Sequence, residues 1–203
     1  MIHVTMTVMM FFLVAFSPSM VVAQNLQGAE LTHLQMPTYH VPMLNDETRN
    51  EAYYQALKKV ITPESIVVDV GSGSGLLSLM AAQLGAKKVF SIEQRVELCA
   101  IFPEIVAANN FEGIIELICK SSYAIHTNDL LYYGPYGEEH PTILVSETLD
   151  SYIIGEGFLS VLYDWKFRSV IQENIQIIPH HGRLHTQLQQ TNYLLNENLT
   201  VHG

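Results

Sequence analysis

The chain has little positive charge, little cysteine and a single tryptophan. Ten Lys and Arg stand against 20 Asp and Glu, for a formal net charge of −10. A nucleic-acid partner needs clustered basic side chains to neutralise phosphates, so that class is excluded. The two cysteines, Cys99 and Cys119, are too few for a metal cluster. The nine scattered histidines show no zinc-type spacing, so no metal is expected. Both cysteines are read as buried free thiols in preference to a disulfide. Long apolar runs are missing too. Val8 to Phe16 is the longest and is too short to span a bilayer. Val21-Val22-Ala23 offers small residues where a signal peptidase reads. Residues 1–23 are therefore expected to be a signal peptide or apolar leader, although Met1 to Thr7 carries no Lys or Arg.

What is present is a globular composition: 48% hydrophobic against 15% charged residues. Residues 24–40 have no clear period and read as a linker or short helix. Asn45 can cap a helix in which Ala52, Tyr53, Ala56, Leu57 and Val60 recur at helical spacing, ended by Thr62-Pro63. Ser65 to Val70 is a β-branched run, hence a buried strand. Leu76 to Leu84 reads as a helix stopped by Gly85, and Lys87 to Ile92 as a strand. Arg95 to Asn109 reads as a helix that Pro103 should kink or restart. Strands over Ile114 to Cys119, Thr142 to Val145 and Ile175 to Ile178 follow, with a helix over Phe158 to Ile171. Arg183 to Gln190 alternates and could open a further strand. This rhythm implies an α/β fold, a mostly parallel sheet with right-handed crossovers.

Gly71-Ser72-Gly73-Ser74-Gly75 joins the first strand to a helix, which places backbone amides beside a ligand at a helix N-terminus. Glu93 ends the next strand, where a carboxylate accepts from ribose hydroxyls. Two cofactor classes fit. A dinucleotide calls for G-x-G-x-x-G, and here the third glycine comes one residue early. Asp69, two residues before Gly71, would repel a pyrophosphate but suits a cofactor carrying an ammonium group. S-adenosylmethionine has that group and a sulfonium, and is favoured over NAD. Downstream, Glu147 and Glu156 follow the strand ending at Val145, and two convergent carboxylates suit a cationic substrate.

Taken together these motifs resemble the protein arginine N-methyltransferase family. The opening segment His40-Val41-Pro42-Met43-Leu44-Asn45-Asp46-Glu47-Thr48-Arg49 through Tyr53 is similar to the family's pattern of Met-Leu, Asp, Arg and Tyr. Val68 to Gly75 resembles its cofactor loop, and Ser146-Glu147 through Glu156 its paired-glutamate loop. The resemblance covers roughly residues 40–190. It implies a Rossmann-like S-adenosylmethionine-dependent methyltransferase sheet with helices on both faces. It also implies catalytic Glu147 and Glu156, with a cofactor site of His40, Met43, Arg49, Asp69, Gly71, Gly73, Gly75, Glu93, Lys120 and Ser121. In that site Arg49 pairs with the cofactor carboxylate, His40 and Met43 lie near the methyl donor, Glu93 holds the ribose, and Lys120-Ser121 borders the adenine. Asp150 and Gly155-Glu156-Gly157 resemble the divergent branch containing members seven and nine, whose products are monomethyl or symmetric dimethyl arginine.

The expected layout is a leader over 1–23, a linker or short helix over 24–40, a methyltransferase domain over 41–178, and over 179–203 the start of a β-barrel that is otherwise missing. Missing that barrel, the chain could instead be a catalytically silent cofactor-binding fragment or regulatory subunit. The implied partners are arginine-containing protein substrates, with a homo-oligomer or partner subunit as the assembly. The family implies cytoplasm or nucleus, whereas the leader implies the secretory pathway.

Overall fold

The computed structural model describes residues 40–150 and 155–183. The leader over 1–23, the linker up to residue 39 and the strand expected to run on to Gln190 lie outside the described residues, as does most of the expected barrel start.

Two helices open the described chain, α1 (His40–Leu44) and α2 (Glu47–Val60). Asp46 caps α2 by accepting from the Arg49 amide at 3.0 Å, and Glu47 sits in the first turn where the helix dipole favours a negative charge. Then follow β1 (Ile66–Val70), α3 (Leu76–Gln83), β2 (Lys88–Glu93), α4 (Val96–Ala108) and β3 (Ile115–Cys119). Two 3-10 turns, Ser122–Ala124 and Thr127–Leu130, precede a small hairpin of β4 (Tyr132–Gly134) and β5 (Gly137–Glu139). β6 (Ile143–Ser146), α5 (Phe158–Phe167) and β7 (Gln176–Ile178) complete the order.

The main sheet is parallel throughout, in the order β3-β2-β1-β6-β7. The chain builds outward from β1 through β2 to β3, then returns to the other side of β1 as β6. That reversal makes a topological switch point between the carboxyl ends of β1 and β6, where open α/β sheets hold ligands. Side chains alternate across the sheet. Val67, Val89, Ile115 and Ile143 pack against α2, α3 and α4 through Leu57, Met80 and Phe102. Val68, Phe90, Ile118 and Leu144 pack on the opposite face against α5 and its neighbours, with Trp165 fully buried. Helices thus cover both faces, as the Rossmann-like expectation requires.

Three local expectations need correcting, and one hairpin was not expected. Cys99 and Cys119 are not free thiols: they form a disulfide with a Cα separation of 5.9 Å. The crossover from β2 through α4 to β3 brings the first turn of α4 against the last residue of β3, within bridging distance. Secondly, α4 runs through Pro103 without restarting. The ring faces solvent, while Phe102 and Val106 on the buried side hold the helix to the sheet, so loss of one backbone bond is tolerated. Thirdly, α5 ends at Phe167, because Ser169 adopts a left-handed conformation (φ 54°) and the Val170 amide donates back to the Trp165 carbonyl at 2.8 Å. Finally, the β4–β5 hairpin has no counterpart in the sequence reading. Strands of three residues are too short to show a period.

Candidate functional site

β1 runs directly into the glycine loop. The amides of Gly71 and Ser72 both donate to the Ile92 carbonyl at 2.9 Å, which pins the loop to the end of β2. Gly71 (φ 72°) and Gly75 (φ 84°) are in the left-handed region, and a Cβ there would come within 2.3 Å of Thr148 and 2.0 Å of Phe102 respectively. Glycine is therefore required twice over, for conformation and for space. Gly73 is also left-handed (φ 57°), and its amide donates to Glu93 Oε2 at 2.8 Å.

Glu93 is 6% exposed. Besides Gly73 it accepts from the amides of Gln94 and Arg95, both at 2.8 Å on Oε1. A carboxylate offers about four lone-pair directions. Three are taken by backbone, so Glu93 ties the loop together and keeps one direction for a ligand hydroxyl. Asp69 differs from expectation. It is 1% exposed, and its Oδ2 accepts from Ser78 Oγ at 2.6 Å. On the pleat Asp69 points, like Val67, toward α3, so it supports the loop from beneath and does not line open space. Burial pushes its carboxyl up to about 7, against the lowering effect of the Ser78 hydrogen bonds and with smaller upward contributions from Glu93 and Glu147.

Across the switch point, Ser146 ends β6. Its Oγ donates to the Val70 carbonyl at 2.7 Å and meets Thr148 Oγ1 at 2.8 Å. This clasp holds the two strand ends together and sets the start of the glutamate loop. Glu147 emerges half-buried, and Arg49 Nη1 lies 3.1 Å from its Oε1. Burial raises the Glu147 carboxyl above the ordinary carboxylate range, Arg49 pulls it back, and Glu156 pushes it up again. Glu156 lies exposed in the turn that enters α5. The two glutamates therefore share one electrostatic neighbourhood, although residues 151–154 between them are outside the described residues. Asp150 Oδ1 accepts from the Gly155 amide at 3.0 Å and closes the loop on itself.

Arg49 is the hub of the α1–α2 cap. Nη2 donates to the Met43 carbonyl and to Asn50 Oδ1, the latter at 3.0 Å, and Asn50 Nδ2 donates to the Leu44 carbonyl at 2.8 Å. Met43 is thus at the site by its backbone. His40 opens α1, but its side chain lies outside what is described. Lys120 and Ser121 follow β3 at the same sheet edge. Lys120 Nζ is 2.6 Å from Asp129 Oδ1, which draws it toward the second 3-10 turn.

Tyr53 has no role in the sequence reading beyond helical periodicity and a match to the opening pattern. In the structure its hydroxyl donates to the Ser146 carbonyl at 2.9 Å, and burial, then the nearby Glu147 charge, pushes its ionisation well above the ordinary range. It stands one turn after Arg49, and that i, i+4 spacing is the signal that both reach the same loop.

The arrangement fits a nucleotide-type cofactor. The loop packs too closely on Thr148 and Phe102 to admit a Cβ at Gly71 or Gly75, and Ser72 Oγ, buried in the loop, has no hydrogen-bond partner. An orphaned buried hydroxyl inside such a loop is what a ligand would satisfy.

Residues 51–128 match the ribosomal protein L11 methyltransferase (PrmA) family model. The arginine N(omega)-methyltransferase of Streptomyces achromogenes subsp. streptozoticus is 34% identical over 171 residues, 84% of this chain and 45% of that protein. Protein arginine N-methyltransferase 7 of Gallus gallus is 32% identical over 160 residues, 75% of this chain and 22% of that protein. The chain spans less than half the length of these relatives. Among solved structures, PRMT6-SAH superposes with a TM-score of 0.57 at 28% identity, covering 70% of this chain and 45% of that one. The Trypanosoma brucei PRMT1 enzyme-prozyme heterotetrameric complex with AdoHcy gives 0.58 at 25% identity, over 69% and 41%.

Proposed function

We propose, for a chain homologous to the methyltransferase domain of the protein arginine N-methyltransferases, that it transfers methyl groups from S-adenosyl-L-methionine to guanidinium nitrogens of arginine in protein substrates. The observation that carries this is the seat on Glu147. A guanidinium, that of Arg49, already lies 3.1 Å from its carboxylate at the switch point, beside the glycine loop. A half-buried carboxylate shaped to take one guanidinium is chemically suited to take another.

The cofactor supplies an electrophilic methyl group on a sulfonium. Gly71, Gly73 and Gly75 hold the left-handed turn that shapes the loop beside it, Glu93 has a lone-pair direction free for a ribose hydroxyl, and Ser72 Oγ offers an unused donor. Arg49 is the cation available to a cofactor carboxylate, and a carboxylate drawing on it would weaken its hold on Glu147. The arginine substrate is a delocalised cation with a pKa above about 12. Glu147 and Glu156 orient its planar fork and pull positive charge toward the far nitrogens, leaving electron density on the one that attacks. A proton must leave that nitrogen, and Glu147, raised by burial, is the better placed acceptor. Tyr53 and the Ser146–Thr148 clasp keep the Glu147 backbone in place while this happens.

A partner subunit or second copy is part of this reading, as is a monomethyl or symmetric dimethyl product. For localisation, the disulfide agrees with the leader in favouring an oxidising compartment. The activity is tested by incubating the purified chain with labelled cofactor and an arginine-rich peptide, beside a peptide with lysine in place of arginine. Label on the arginine peptide alone is expected; equal labelling of both, or of neither, would overturn the reading.

A further inference from the structure

The site described so far leaves unused a chain of three buried polar side chains beneath the cofactor loop. Asp69 on β1, Ser78 on α3 and Ser91 on β2 are 1%, 0% and 0% exposed. Ser78 Oγ donates to Asp69 Oδ2 at 2.6 Å, so the 2.5 Å contact between Ser78 and Ser91 must be made with the Ser91 hydrogen directed at Ser78. The strand that enters the glycine loop, the helix that leaves it and the neighbouring β2 are thereby cross-linked through one carboxyl group. Three apolar side chains at these positions would avoid the desolvation cost, whereas a buried carboxyl is costly unless hydrogen bonds offset its loss of water.

The groups facing Asp69 are few. Ser78 comes from α3 and Ser91 from β2. Glu93 at the end of β2 and Glu147 after β6 both press its carboxyl toward the protonated form, and Tyr53 from α2 lies within electrostatic reach. The charged groups among them are anionic. The Arg49 cation stands beyond Glu147, 3.1 Å from its carboxylate, and a further positive charge arriving at the adjacent loop would favour the Asp69 carboxylate.

We propose that the Asp69–Ser78–Ser91 chain is a proton-linked positioning device for the cofactor loop: Asp69 gives up its proton to solvent when a sulfonium-bearing cofactor binds, so cofactor affinity rises with pH. The inference rests on the S-adenosylmethionine reading and deepens it. Asp69 acts through the loop and through its field, without touching the ligand. The ionised carboxylate is stabilised by two hydroxyls in series, which polarise one another. Burial places its titration near neutrality, where small changes in charge nearby alter its occupancy most. A cofactor charge that moves this titration by one pKa unit corresponds to about a tenfold change in affinity.

The test is calorimetric titration of the full chain with S-adenosylmethionine and with S-adenosylhomocysteine, which lacks the sulfonium charge, from pH 5.5 to 8.5. The wild type should bind the methylated cofactor about tenfold more tightly at the upper end than at the lower. Its pH slope should exceed that for the homocysteine form. In Asp69→Asn the slopes for the two ligands should coincide. Should they differ in that variant as they do in the wild type, the proposal is wrong. If Asp69→Asn does not fold, Ser91→Ala carries the test. It keeps the carboxyl but weakens the hydroxyl chain that favours its ionised form, and should move the midpoint of the affinity profile to higher pH; an unmoved midpoint overturns the proposal. Failure of both ligands to bind at every pH would instead remove the cofactor reading, and this proposal with it.

Discussion

At the scale of the residue, the site depends on a few buried charges with assigned partners. Asp69 gives a stability prediction that needs no ligand. Its carboxyl is raised from 3.8 to about 7 in the folded chain. Between those values the folded state keeps a proton that the unfolded state has released. Stability from this group is complete below about pH 4 and falls as pH rises toward 7. Thermal unfolding of Asp69→Asn across pH 4–8 should lack that decline; an unchanged profile would show that Asp69 does not titrate there. Arg49 gives another. Lysine cannot reproduce a planar fork that reaches Glu147, Asn50 and the Met43 carbonyl at once. Arg49→Lys should weaken cofactor binding about tenfold or more, as loss of charged hydrogen bonds implies, and calorimetry reads this directly. Glu93 and the glycines were legible in the sequence because strand, loop and carboxylate fall in a fixed order. The burial of Asp69 was not, since a two-residue offset from Gly71 fixes position along the strand but not the face that the side chain takes.

At the scale of the element, the glycine loop is rigid by construction. Gly75 is left-handed and faces Phe102, a core residue of α4 that is 1% exposed and cannot yield. Gly75→Ala adds the cost of a left-handed alanine, about 1–2 kcal/mol, to a collision with that ring. A lower melting temperature and loss of cofactor binding are expected, measured by differential scanning fluorimetry with and without ligand. The Cys99–Cys119 bridge closes a loop of sequence separation 20. Chain-entropy arguments put its contribution at about 3 kcal/mol. Cys99→Ser should lower the denaturation free energy by that order, whereas a change near zero would mean the bridge is not formed in solution. Strands and helices with buried periodic faces were readable within a residue or two at either end. The end of α5 was not, because it depends on Ser169 entering the left-handed region, a conformation that sequence pattern does not mark. The bridge was misread for a related reason: pairing needs the three-dimensional return of β3 alongside β2.

At the scale of the molecule, one parallel sheet whose order reverses beside β1 gathers loops from β1, β2, β3 and β6 on one edge. That reversal explains why motifs separated by dozens of residues meet. The rhythm of strands and helices made the sheet legible, while the order of strands within it came only from the coordinates. The α1–α2 cap reaches across this edge through Arg49 and Tyr53 and grips the loop after β6. Loosening the cap should therefore disturb Glu147 and cofactor binding together. Tyr53→Phe removes one such grip, a hydrogen bond worth about 1 kcal/mol. It should lower transfer severalfold in a labelled-cofactor assay while the fold, read by circular dichroism, is retained.

Under the proposed function, Glu147 serves the arginine and not the cofactor. Replacing it by glutamine keeps size and hydrogen-bonding reach but removes the charge, so binding and transfer should separate. We expect Glu147→Gln to bind S-adenosylmethionine within about twofold of wild type and to transfer methyl to an arginine peptide at least about 100-fold more slowly, the loss seen when one transition-state contact is removed. Transfer at the wild-type rate by that variant, with cofactor binding intact, would contradict the account.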